Sequence, residues 1–104
     1  MDEQISIIQT TLPGAWLEAE VGIFAQLILE AGAACVQHSS IRSTYKWEGE
    51  IESALEWRLQ IKTGQNQVDN VIQSIRENHP YEVPQIIHWL AQTNADYADW
   101  VDSV

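Results

Sequence analysis

Two runs of alternating apolar and charged residues flank a turn at Gly49, and they limit the possible folds more than any other feature of the chain. Before the glycine, Ile41, Tyr45 and Trp47 share one parity, and after it Ile51, Leu55, Trp57, Leu59 and Ile61 share one. The opposite parity carries Arg42, Thr44 and Lys46, then Glu50, Glu52, Glu56, Arg58, Gln60 and Lys62. Side chains of a strand alternate between faces, so each run is a strand with an apolar face and a charged face. The pair reads as a hairpin. Keeping both apolar sets on one face needs an odd number of turn residues. A three-residue loop ending with Gly49 in the left-handed conformation meets that need and sets Lys46 opposite Glu50. A loop shifted by one residue would pair Lys46 with Glu52 and Arg42 with Glu56.

The hairpin is too long for its domain. Strands of about 14 residues extend to roughly 46 Å. A compact chain of 104 residues has a radius of gyration near 13 Å, a sphere about 33 Å across. The hairpin must bend or project, leaving Tyr45, Trp47 and Ile51 as an exposed apolar strip in a monomer. Packing against other subunits would cover the strip and its open strand edges. The expected state is therefore an oligomer.

The remaining elements follow from periodicity. Ile5, Ile7 and Ile8 mark a buried strand over Gln4 to Thr10, which Pro13-Gly14 break. Leu17, Val21, Phe24, Ile28 and Ala31 recur at helical steps from Trp16 to Ala31, and Gly32 suits a left-handed helix stop. Asn66 can cap a second helix with Val68, Val71, Ile72 and Ile75 inward, and Pro80 ends it. Val83 to Leu90 reads as a further strand, and a short helix follows Asn94. The predicted fold is α+β: one domain over residues 1–104, a ferredoxin-like split β-α-β sandwich with a long central hairpin and an extra C-terminal helix.

Composition excludes several functions. Fifteen acidic residues against five basic ones give a formal charge of −10, which repels phosphate backbones and argues against nucleic acid. A single cysteine excludes an internal disulfide framework and permits a reducing compartment. Met1-Asp2-Glu3 lacks the basic start of a signal peptide, and no apolar stretch reaches the roughly 20 residues of a membrane span. A cytoplasmic location is expected. No phosphate-binding glycine loop, paired zinc motif or nucleophile elbow is present, so no catalytic chemistry is indicated.

Three segments carry a family resemblance: Ser43-Thr44-Tyr45-Lys46-Trp47-Glu48-Gly49, His79-Pro80-Tyr81-Glu82-Val83-Pro84 and Thr93-Asn94-Ala95-Asp96-Tyr97-Ala98-Asp99-Trp100. In this order and spacing they resemble the divalent-cation tolerance (CutA) family. The resemblance implies a homotrimer and a role in metal homeostasis, with copper or another divalent cation bound and no organic cofactor. It places Lys62, Tyr81 and Glu82 close to subunit boundaries, as candidates for an inter-subunit cleft. A lysine beside a tyrosine and a carboxylate suits a small anion or a proton donor; the competing reading is an ion pair fixing a subunit contact. The family's second motif typically continues with glutamate where this chain has Gln85, so a carboxylate role there is lost while hydrogen bonding can survive.

Cys35, His38 and His79 are the candidate metal ligands. Thiolate and imidazole suit soft and borderline ions, and Ala34-Cys35-Val36 matches the family's cysteine-bearing segment. On a strand, a spacing of three sends Cys35 and His38 to opposite faces, although a trimer would repeat each ligand three times. The competing readings are a small buried thiol for Cys35 and a helix-end imidazole bonding the last carbonyls for His79. His88, between Ile87 and Trp89, reads as a satisfied strand histidine. Two rivals to the metal reading are a signalling module of the nitrogen-regulatory PII type, binding a small effector between subunits, and a ligand-free trimeric assembly protein.

Overall fold

A computed structural model describes residues 3–104; Met1 and Asp2, the start of the segment read above for a signal peptide, lie outside the described residues. The elements run β1 (Glu3–Pro13), α1 (Glu18–Glu30), β2 (Cys35–Trp47), β3 (Glu50–Thr63), α2 (Val68–Asn78), β4 (Ile87–Thr93) and α3 (Ala95–Ser103), with one 3₁₀ turn at Gln65–Gln67. The strands form one antiparallel sheet in the order β2-β3-β1-β4. The expected split β-α-β order and the extra C-terminal helix are both present.

β1 is central, and its sequence shows why. Ile8 and Leu12 point to one face, where Leu59 and Ile61 of β3 meet Val21, Phe24 and Ile28 of α1 and Val71 and Ile75 of α2. Ile5 and Ile7 have the opposite parity and pack with Ala98 and Val101 of α3. Burial on both faces replaces alternation with the run Ile5-Ser6-Ile7-Ile8. The helix stop at Gly32 is a Schellman motif: Gly32 has φ +120°, its N–H donates to Leu29 O at 3.0 Å, and the Ala33 N–H donates to Ile28 O at 3.3 Å.

Several expected boundaries shift. α1 begins at Glu18 rather than Trp16, because the Trp16 N–H donates instead to Pro13 O across a turn, 3.1 Å. The Leu17 N–H is satisfied by the Glu20 carboxylate at 2.8 Å. Asn66 is inside the 3₁₀ turn and Gln67 takes the cap position of α2. β4 begins at Ile87, not Val83. Pro80 and Pro84 supply no N–H to a ladder, and the chain between them stays irregular.

The hairpin turn is the main correction. Trp47 pairs with Glu50, leaving only Glu48 (φ 51°) and Gly49 (φ 82°) in the turn. Two positive φ values are the condition of a type I′ turn, whose twist matches the flanking strands. This register sets Tyr45 opposite Glu52 and Lys46 opposite Ile51. Directly opposed residues share a face, so the two apolar sets are on opposite faces. Tyr45 and Trp47 form one exposed strip (43% and 50%), and Ile51 and Leu55 form another (75% and 54%). The molecule measures 47 × 25 × 21 Å with a radius of gyration of 14.6 Å, longer than a compact chain of this size.

Candidate functional site

β1 outlasts β4. It pairs with β4 only as far as Gln9 but with β3 as far as Pro13, so its last residues keep an unpaired edge. His79, just after α2, fills that gap. Its Nε2 donates to Thr11 O at 2.7 Å and lies 3.2 Å from Thr10 Oγ1. Its Nδ1 accepts the Tyr81 N–H at 3.1 Å. The imidazole thus ties the irregular segment 80–86 to the sheet edge in place of a strand. It does not bond the last helix carbonyls, as the helix-end reading expects.

The anchored segment places Tyr81 against β3, where its hydroxyl donates to Glu56 Oε2 at 2.7 Å. Burial raises the Tyr81 pKa first, and the hydrogen bond and charge of Glu56 add to the rise; the hydroxyl stays protonated and is a fixed donor. Beside this pair opens a cleft of about 690 Å³ between segment 80–85 and the hairpin. Tyr45, Trp47 and Glu56 of the hairpin and Thr11 of β1 line it with Tyr81, Glu82 and Gln85 of the segment. Gln85 Oε1 accepts from Gln9 Nε2 at 3.1 Å, and Gln9 Oε1 accepts from Gln60 Nε2 at 3.2 Å. The amide at position 85 therefore keeps a hydrogen-bonding role.

Of the three cleft candidates, the structure brings Tyr81 and Glu82 together and leaves Lys62 apart. Lys62 is six residues beyond Glu56 on the same face of β3, roughly 20 Å away. Its ammonium donates to Gln37 Oε1, and its register partners are Cys35 and Ile7. Glu56 and Thr11 were invisible as site residues in the sequence, because only the strand register brings them to Tyr81.

The metal candidates do not converge within a chain. Cys35 is half-buried at the start of β2, opposite Lys62. His38 is on the other face, opposite Leu59, with Nε2 3.7 Å from a Glu18 carboxylate oxygen and its ring 5.7 Å from Trp57. Both ring nitrogens of His79 are engaged. His88 is exposed on β4 opposite Ile8. Among the described residues, no group of three His, Cys, Asp or Glu side chains is placed to hold one ion.

His79 gives the fold a pH dependence. Desolvation lowers its pKa, outweighing the opposite effects of the Thr11 bond and the Glu56 charge. The unfolded chain therefore takes up the proton first as pH falls through about 6.5, and stability drops from there toward the lowered folded value. Melting temperature should begin to fall as pH drops below about 6.5, with a shallower fall in His79→Gln. Equal slopes in the two proteins would remove His79 as the cause.

Comparison with known proteins agrees with this architecture. The sequence model of the family described as "CutA1 divalent ion tolerance protein" matches residues 6–104. The divalent-cation tolerance protein CutA of Pyrococcus horikoshii is 35% identical over 96 residues, covering 91% of this chain and 92% of that protein. The chloroplastic CutA 1 of Oryza sativa is 32% identical over 97 residues, and the match spans 54% of its greater length. Among solved structures, the PII-like protein CutA from Nostoc sp. PCC 7120 in apo form superposes with a TM-score of 0.83 at 31% identity, covering 94% of each chain. The chain belongs to the CutA1 divalent ion tolerance family.

Proposed function

We propose that the protein is a cytoplasmic homotrimer that acts in divalent-cation tolerance by binding rather than by turnover. The observation that carries this is the uncovered surface of the single chain. Tyr45 and Trp47 near the hairpin tip and Ile87, Trp89 and Leu90 on β4 are all more than two-fifths exposed, and β2 and β4 are both open sheet edges. Neighbouring subunits that join those edges would bury the aromatics and satisfy the free backbone groups. Light scattering at low micromolar concentration should return a trimer mass; a monomer mass would refute the assembly.

Copper or a similar ion would then be held by ligands drawn from more than one subunit, since the described residues of one chain gather no group of three. Cys35 is the softest donor available and suits Cu(I). The net charge of −10 also attracts cations nonspecifically, but salt screens that attraction. Copper titrated at high salt should bind saturably, with fixed stoichiometry, and Cys35→Ser should lose part of that binding. Identical saturation in both proteins would discard the cysteine, and loss of all binding with salt would discard the site.

The cleft beside Tyr81 favours a second reading. It supports a small-effector module, in line with the PII-like name of the Nostoc protein.

A further inference from the structure

Beyond Glu56 the hairpin runs on alone. β1 accompanies β3 only as far as the pair Pro13 and Glu56. Residues 50–55 of β3 and their partners 42–47 of β2 therefore form a ribbon of two strands, with no third strand on either edge among the described residues. Such a ribbon is marginally stable in water by itself. The register also sorts its charges by face. Arg42 pairs with Leu55 and Lys46 with Ile51, and no acidic residue is among the paired residues of that face. The other face sets Glu50 opposite Trp47 and Glu52 opposite Tyr45, with Glu56 further along and no base in the ribbon. All four of Arg42, Lys46, Glu50 and Glu52 are exposed. Among the described residues the one ion pair is His38 with Glu18, so neither base of the ribbon meets a carboxylate of its own chain.

From this sorting we propose that the ribbons of neighbouring copies stack head to tail, the basic face of one on the acidic, aromatic face of the next. Arg42 and Lys46 of one copy then oppose Glu50 and Glu52 of its neighbour. The inference rests on the assembly proposed above and adds which surfaces meet in it. Stacking like on like would set bases against bases or carboxylates against carboxylates, which opposes any two-fold contact through these faces. A contact between unlike faces is heterologous and closes into a ring, as a three-fold assembly requires. It also covers both apolar strips at once, since Ile51 and Leu55 stand with the bases and Tyr45 and Trp47 with the carboxylates. Glu56 belongs to the acidic face and to the cleft beside Tyr81, where no lysine, arginine or histidine is among the described lining residues. The neighbour's basic face brings a cation to the edge of that cleft.

The test reverses each face in the full chain and follows mass by light scattering through a dilution series at low ionic strength, where exposed charges act over the longest range. Arg42→Glu with Lys46→Glu should weaken association about a hundredfold or more, the scale of like charges brought together. Glu50→Lys with Glu52→Lys should weaken it similarly. The first pair makes the chain more negative and the second less, so repulsion by net charge alone would move them in opposite directions. All four substitutions together keep the net charge at −10 and should return association close to the wild-type level. Mixed in equal amounts, the two reversed chains should form assemblies that neither forms alone, because each supplies the face that the other needs. Wild-type association of either reversed chain would overturn the stacking. Failure of both the fourfold variant and the mixture to assemble, folded or not, would overturn it too. These results leave the oligomer itself standing, whereas a monomer mass for the unaltered chain would refute the assembly and the stacking with it.

Discussion

The Ile8→Ala variant should lose about 4–5 kcal/mol of stability, the upper part of the range of roughly 2–5 kcal/mol for a buried isoleucine. Ile8 is fully buried on the central strand, between Ile61 of β3 and His88 of β4 in register. Its side chain belongs to the cluster that joins α1 and α2 to the sheet. A cavity there is walled by strands hydrogen-bonded on both sides, so the site has little freedom to collapse. Ile5→Ala is the informative control. Ile5 is also buried, at 3% exposed, but among the described residues its cluster has only Ile7, Ala98 and Val101 as other buried members. The short α3 can settle toward the gap, so the loss should fall near the lower end. Urea unfolding at one fixed protein concentration measures both. A loss below about 1 kcal/mol for Ile8→Ala would mean that the two-helix layer is not the principal core. For a domain of ordinary marginal stability, the expected loss is a large share of the total.

Much of this core was legible in the order of residues, because it depends on local pattern. The helix stop at Gly32 follows from one glycine after an amphipathic run, and Val71 and Ile75 follow from helical spacing. The hairpin was legible too, but its register was not. Glu48 is not a residue that advertises positive φ, and a two-residue turn places Tyr45 and Ile51 on opposite faces instead of together. One residue of turn length changed every pairing above it. Segment 80–86 failed for the opposite reason. Val83, Ile86 and Ile87 look like a strand, yet Pro80 and Pro84 withhold donors, and His79 satisfies the Thr11 carbonyl that a strand would have bonded.

The candidate site was legible only in part. Tyr81 and Glu82 stand in a motif, whereas Glu56 and Thr11 are unremarkable in sequence and reach the cleft through pairings 25 and 47 residues apart. Thr11 pairs with Arg58, and Tyr81 reaches Glu56 from 25 positions away. Lys62 fails as a partner because same-face residues six apart on one strand are still roughly 20 Å from each other. Distance along β3, not parity, separates it from Tyr81.

Trp47→Ala should damage assembly far more than its environment in a single chain would suggest. The side chain is 50% exposed, and a surface truncation of that kind usually changes stability by no more than about 0.5 kcal/mol. If neighbouring subunits bury the ring, its removal instead costs about 3–5 kcal/mol, as for a buried tryptophan. At 1.4 kcal/mol per tenfold, that weakens association roughly a hundredfold to a few thousandfold. The variant should dissociate on dilution through the micromolar range and melt at a lower, concentration-dependent temperature. Ile51→Ala separates the two faces of the hairpin. Ile51 is 75% exposed and on the face opposite Trp47, so a contact confined to the Tyr45 and Trp47 strip predicts little change from it. Losses in both variants would place the hairpin tip between partners on both sides. An unchanged mass and melting temperature for Trp47→Ala would show that the tryptophan strip is open to solvent in the native molecule, and the subunit contact would have to be sought along the β4 edge, at Trp89 and Leu90.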